Sequence, residues 1–132
     1  MKLFSFAKDG GSKSTVTGFW FIELKGLFSI VLLKFHPGSR EAYHSHAFNA
    51  LSWFVWGEVI EYFQDGSPSK LWKPSLIPKY TPRNNFHRVW ANKATYCFTI
   101  RGPWHSTWKE YLINENKIIT LTHGRKLYDS CN

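Results

Sequence analysis

Acidic residues are scarce in this chain: nine Asp and Glu stand against seventeen Lys and Arg over 132 residues, a formal charge of +8. Such a balance favours anionic partners, nucleic acid included. The basic residues are scattered, however, as Lys70, Lys79, Arg88 and Arg101 illustrate, and they form no dense run. The charge therefore reads as a solvated surface that suits an anionic small molecule, and nucleic acid is not the expected partner. Cysteine is almost absent, with Cys97 in a predicted strand and Cys131 one residue from the C-terminus. That usage points to reduced thiols and a cytoplasmic setting rather than a disulfide framework. Long hydrophobic runs are missing too. Runs such as Ile30-Val31-Leu32-Leu33 fall far short of the ~20 residues a spanning helix needs, so no membrane segment is expected. The N-terminal residues meet charge too early for a secretory signal. No repeat, no low-complexity tract and no convincing helical period is found.

What the chain does have is aromatic mass, with 18% Phe, Trp and Tyr, seven of them Trp. A chain of this length and composition fits one domain, 1–132, with a real but modest core. Its β-type segments are closely spaced. Val16–Leu24 and Leu27–Phe35 flank the link Lys25-Gly26, and His36-Pro37-Gly38-Ser39 is a turn. Ala50–Trp56 is broken by Gly57 before Glu58–Phe63. The proline-rich stretch from Lys70 to Asn85 must be short strands and bends, since Pro cannot donate to a central ladder. Phe86–Trp90 and Thr95–Arg101 follow, then a hairpin of Trp108–Ile113 and Lys117–Leu121 around Asn114-Glu115-Asn116. Residues 1–14 read as an extended piece with a flexible Gly-Gly-Ser-Lys-Ser loop, and residues 123–132 as a tail in which His123 has no role. Short strands without crossover helices argue for an all-β antiparallel barrel or sandwich.

The chemistry is concentrated at His44-Ser45-His46. Two imidazoles one residue apart on an extended chain point to the same face. His87, about forty residues later, offers a third from another strand. Such a set suits a borderline divalent metal with coordination positions left open.

At these residues the chain resembles the cupin superfamily. Its usual first motif is Gly, five residues, His-x-His, three or four residues, Glu, six residues, Gly. Here Gly38, His44-Ser45-His46, Ala50 and Gly57 keep that spacing, with Ala50 in the carboxylate position. Pro82, His87 and Asn92 resemble the second motif, with Asn92 one residue late and Asn84 where a Gly is usual. The run Ser52-Trp53-Phe54-Val55-Trp56-Gly57 and the later Thr99-Ile100-Arg101-Gly102-Pro103 are similar to a subgroup of small bacterial and phage cupins. The resemblance covers roughly residues 30–110. It implies a single jelly-roll β-barrel holding one divalent ion on His44, His46 and His87. With Ala50 the shell is three neutral imidazoles, as in the thiol dioxygenase branch. Fe(II) is then the expected metal, with Zn, Ni or Mn as alternatives, and a small organic metabolite the expected substrate. The echo of the thiol dioxygenase helper residues in His105-Ser106-Thr107-Trp108 is too faint to name a thiol.

Other side chains are candidates for the same pocket. Continued alternation carries Ala50, Ser52, Phe54 and Trp56 to the inner face unless a bulge intervenes. Cys97 and Arg101 share a strand face with Thr95 and Thr99, and the guanidinium fork of Arg101 suits a carboxylate. Asn49 and His105 are candidate supporting residues, Tyr43 faces away from His44, and His36 is structural or exposed. Two other classes stay open. Ala50, with no carboxylate between His44 and Gly57, also fits a non-catalytic binding or structural module. A basic aromatic barrel surface that holds single-stranded nucleic acid is the weaker alternative. A homodimer is expected from the aromatic surplus and the need to cover sheet edges.

Overall fold

Gly57 turns the chain from one sheet into the other, and its backbone shows why no other residue serves. Its φ is +81°, and a Cβ there would lie 2.3 Å from Thr95 Oγ1 and 2.9 Å from the Ala94 carbonyl oxygen. Before this turn runs β5 (Ala50–Trp56) and after it β6 (Val59–Phe63), and the two strands belong to different sheets. The structure is a computed structural model that describes residues 2–9, 14–38, 43–112, 117–122 and 126–131. Of residues 112, 122 and 126–131 it describes the backbone alone.

The remaining strands are β1 (Lys2–Lys8), β2 (Val16–Leu24), β3 (Phe28–Phe35), β4 (Tyr43–His44), β7 (Lys70–Trp72), β8 (Lys79–Thr81), β9 (His87–Ala91), β10 (Thr95–Arg101), β11 (Thr107–Leu112), β12 (Lys117–Thr122) and β13 (Lys126–Cys131). Every pairing is antiparallel, in a six-stranded sheet of order β1-β2-β3-β10-β5-β8 and a seven-stranded sheet of order β13-β12-β11-β4-β9-β6-β7. No helix is present among the described residues, so none is long and apolar enough to cross a membrane. The fold is the all-β jelly roll expected from the sequence.

Strict alternation builds the interior. On β3, Ser29, Val31 and Leu33 are buried, and on β10 Thr95, Cys97, Thr99 and Arg101 face the same way. Trp20, Val31, Leu33, Phe54, Val59, Ala91 and Cys97 form one apolar cluster. Ala47, Phe48 and Ala50, with Trp104 and Trp108 against them, form a second. The imidazole-bearing cavity adjoins both.

Two expectations need correction. The first strand is not merely an extended piece, because β1 pairs with β2 from Lys2↔Glu23 to Lys8↔Thr17. The predicted tail also holds β13, which pairs with β12 through Ile118↔Cys131 and Thr122↔Lys126. In both, hydrogen bonding to a neighbouring strand orders a segment whose local sequence does not show its partner. Gly10 to Lys13, Ser39, Asn114-Glu115-Asn116 and His123 lie outside the described residues. Gly57→Ala should cost about 2 kcal/mol or more, since it adds left-handed strain to a backbone clash. Thermal denaturation should show a loss of about 5 °C or more, and a melting temperature equal to the parent's would contradict this account of the turn.

Candidate metal centre

The three imidazoles arrive from two adjacent strands and the end of one of them. His44 on β4 pairs directly with His87 on β9 across the ladder, and His46 follows two residues later on the same face. Ser45 between them is tied to β11: its amide donates to the Lys109 carbonyl at 2.8 Å, and its Oγ accepts from the Lys109 amide at 2.9 Å. The resulting triangle is nearly equilateral, with ring centroids 5.0, 5.1 and 5.2 Å apart. One nitrogen from each ring lies within 4.8 Å of the others. Donors bound to one ion through ~2.1 Å bonds at a right angle sit ~3.0 Å apart; His46 Nε2 and His87 Nε2 are 2.9 Å apart. The donor set fits a divalent ion held on one three-nitrogen face.

Protonation supports the same reading. Burial, then the charges that His44 and His87 would carry, hold His46 well below the ordinary imidazole range, so its ring is neutral near pH 7. His87 is oriented from behind, where its Nδ1 hydrogen-bonds Glu61 Oε2. Burial alone would raise the Glu61 carboxyl, but the His87 hydrogen bond and the Lys79 ammonium outweigh it and bring it from 4.5 to about 2. The carboxylate is ionised and accepts, so Nδ1 carries the proton and Nε2 presents its lone pair to the cavity. Glu61 is 1% exposed and fully engaged. It also accepts from Trp72 Nε1 at 3.0 Å, Asn85 Nδ2 at 3.1 Å and Lys79 Nζ at 3.1 Å. Lys79 donates in turn to Thr81 Oγ1 at 2.6 Å; burial pulls its ammonium pKa down while Glu61 opposes that.

A cavity of about 280 Å³ opens in front of the three rings, smaller than a typical drug-sized pocket. Ser52, Cys97 and Arg101 line it, with Phe48, Trp104 and Trp108 as aromatic wall. Ser52 Oγ and Thr99 Oγ1 are 3.1 Å apart, and burial pushes the Cys97 thiol up, so it is an inert neutral group. Arg101 is 2% exposed rather than a solvent-facing strand end.

Three expected lining residues are elsewhere. Trp56 is 65% exposed, because the β5–β10 register jumps from Phe54↔Cys97 to Trp56↔Tyr96. The extra residue, Val55, is a bulge that breaks the alternation carried forward from Ala50. Asn49 is exposed and braces loops, its Oδ1 accepting from the Arg83 amide at 2.6 Å. His105 is also exposed, and its amide donates to the Ala47 carbonyl at 2.6 Å. Tyr43 packs under the Arg88 guanidinium, 5.2 Å from ring centre, and His36 Nε2 meets Thr17 Oγ1 at 3.1 Å, both away from the cavity. Conversely, ionisable groups do stand beside the site. Glu61 and Lys79 were overlooked because they lie in other segments; the one visible signal was a lone charge inside the apolar strand Val59-Ile60-Glu61-Tyr62-Phe63.

The fold is similar to that of solved cupin structures, and three histidines that could hold a divalent metal stand together in it. Among solved structures, the chain is similar over its whole length to a sugar phosphate isomerase of the cupin superfamily from Silicibacter pomeroyi. That match has a TM-score of 0.64, 10% identity and 92% of the other chain covered. The polyketide cyclase RemF from Streptomyces resistomycificus matches with a TM-score of 0.64 and 13% identity, over 77% of this chain and 75% of that one. A cupin superfamily protein from Desulfitobacterium hafniense matches with a TM-score of 0.55 and 15% identity, over 70% and 83%. No protein-family model and no curated protein matches the chain.

Glu61→Gln leaves Lys79 buried without its counter-charge and should cost about 3 kcal/mol. The pH dependence has a definite sign. A carboxyl whose folded pKa is depressed contributes stability above its unfolded value, here about 4.5, and loses it as pH falls towards 2. Denaturant melts of metal-free protein should therefore show an acid limb in that window that flattens in Glu61→Gln. An unchanged limb would mean that Glu61 is not ionised in the folded state.

Proposed function

We propose that this chain is a mononuclear metal enzyme of the cupin type acting on a small organic metabolite, with His44, His46 and His87 holding Fe(II). The observation that carries the reading is the convergence of three imidazoles, one fixed from behind by an ionised carboxylate, onto a small aromatic-walled cavity. Fe(II) held by His44, His46 and His87 would supply a Lewis-acid charge and redox reactivity toward dioxygen. This chain's own residues do the rest. Glu61 keeps the His87 lone pair aimed inward, Phe48, Trp104 and Trp108 exclude water, and Lys79 at the cavity wall is the ionisable group placed to exchange a proton. Two of the similar folds, named as an isomerase and a cyclase, support a small-molecule substrate. The buried free thiol of Cys97 supports a cytoplasmic setting.

Protein purified without chelators should carry about one equivalent of metal by elemental analysis, with iron dominant over Zn, Ni or Mn. His44→Ala and His87→Ala should each lose it, and a full complement in either variant would end the proposal. Ala50, in the position of the usual Glu ligand, favours a second reading as a non-catalytic binding or structural module. That reading requires metal-free protein whose stability does not change on histidine substitution.

We also propose a homodimer through the outer face of the six-stranded sheet. Phe6, Phe19, Leu32, Phe98 and Trp53 form one cross-strand row there. Ile22, Ile30, Ile100, Leu51 and Tyr80 form another. Two apolar rows across five strands are the self-complementary surface a two-fold interface uses. Sedimentation should give a dimer for the parent and a monomer for Ile100→Glu; a monomeric parent would dismiss the interface.

A further inference from the structure

Arg101 pairs directly across the β5–β10 ladder with Ala50, the position at which cupins usually place a metal-ligating Glu. Position 50 thus carries no anion here, and a buried cation stands opposite it. The guanidinium meets Asp9, with Nη1 donating to Oδ1 at 3.3 Å and Nη2 to Oδ2 at 2.5 Å, a two-point fork on a carboxylate. The two partners differ in burial: the Arg101 side chain is 3% exposed and that of Asp9 26%. Asp9 can turn to water without leaving a charge buried, whereas Arg101 cannot. The Arg101 Nε–H is also buried and finds no acceptor among the described residues. Phe48 packs against both this cation and His46, its ring centre 4.5 Å from the guanidinium carbon and 5.3 Å from the centre of the His46 ring. Arg101 and the three imidazoles line the same cavity, so one guest can reach both.

From this geometry we infer that Arg101 is the anchor for the carboxylate of a short organic acid, and that the Asp9 carboxylate is its internal stand-in, displaced when the acid binds. The acid carries a second oxygen donor that reaches toward the three imidazoles. Charge balance favours the same guest, because three neutral ligands leave the full double charge of the ion uncompensated, with Lys25 also lining the cavity. A carboxylate is preferred to a phosphate because a carboxylate is what the fork already holds. The far end of this assignment rests on the metal-centre reading, but the Arg101 end does not.

The test is a calorimetric titration with succinate, and with uncharged succinamide, on both chelator-treated and metal-loaded protein. Chelator-treated Asp9→Asn should bind succinate at least tenfold more tightly than the parent, since its fork has no internal occupant. Arg101→Lys, placed in the Asp9→Asn background, should lose at least tenfold, because an ammonium keeps the charge without the fork. Succinamide should not bind. In the parent protein, succinate should shift the guanidinium 15N resonances that Arg101→Lys removes, a readout that needs no variant to retain ligand. Equal succinate affinity in the parent and Asp9→Asn, equal affinity with and without Arg101, or tighter binding of inorganic phosphate than of succinate would each overturn the assignment. Protein that retains no metal yet binds succinate through Arg101 would sink the metal reading and leave this one standing. Protein that retains metal but is indifferent to Arg101 would do the reverse.

Discussion

The contact between Glu61 and His87 is the constraint from which the rest of the site follows. A carboxylate enclosed in protein is tolerable only when its oxygens are all engaged, and here an imidazole, an ammonium, an indole and an amide share them. Those partners come from β7, β8, β9 and the turn before β9, so satisfying one charge on β6 fixes the spacing of elements in both sheets. The same contact decides which nitrogen of His87 faces the cavity. Through the β4–β9 ladder it also sets where His44 stands opposite. A structural ion pair and a functional orientation are here one object.

Charge is divided unevenly between the two halves of the site. The negative group, Glu61, lies behind His87 rather than among the three ring nitrogens, where it raises the donor strength of that imidazole. On the other side, Arg101 and Lys25 line a wall with no ionised carboxylate committed to the metal face.

Much of this architecture was legible in the residues. Alternation put Thr95, Cys97, Thr99 and Arg101 on one face of β10, the glycine at position 57 marked a break between strands, and the spacing of His44, His46 and His87 pointed to three rings on one wall. What escaped was of two kinds. Long-range pairing was invisible: nothing local in Glu61, Lys79 or Asp9 says which strand will lie opposite, so their roles emerge only from the sheet order. A change of parity was also invisible, because a bulge depends on the partner strand. Trp56 therefore seemed to share a face with Ser52 until the register against β10 placed it outside. Asn49 and His105 were misjudged by proximity in sequence, since their backbones serve the loops that carry their neighbours.

That irregularity at Val55 bears on how the strand can change length over evolutionary time. Between Ala50 and Phe54 the wall is written in strict two-residue steps, so gaining or losing one residue there would turn the small and aromatic lining outward and solvent-facing rings inward. At the bulge the count is already uneven, and a local insertion or deletion can be absorbed before the chain reaches the glycine turn. Length variation among descendants of this sequence should therefore gather at that single point, leaving the wall ahead of it and the corner behind it each in its own phase.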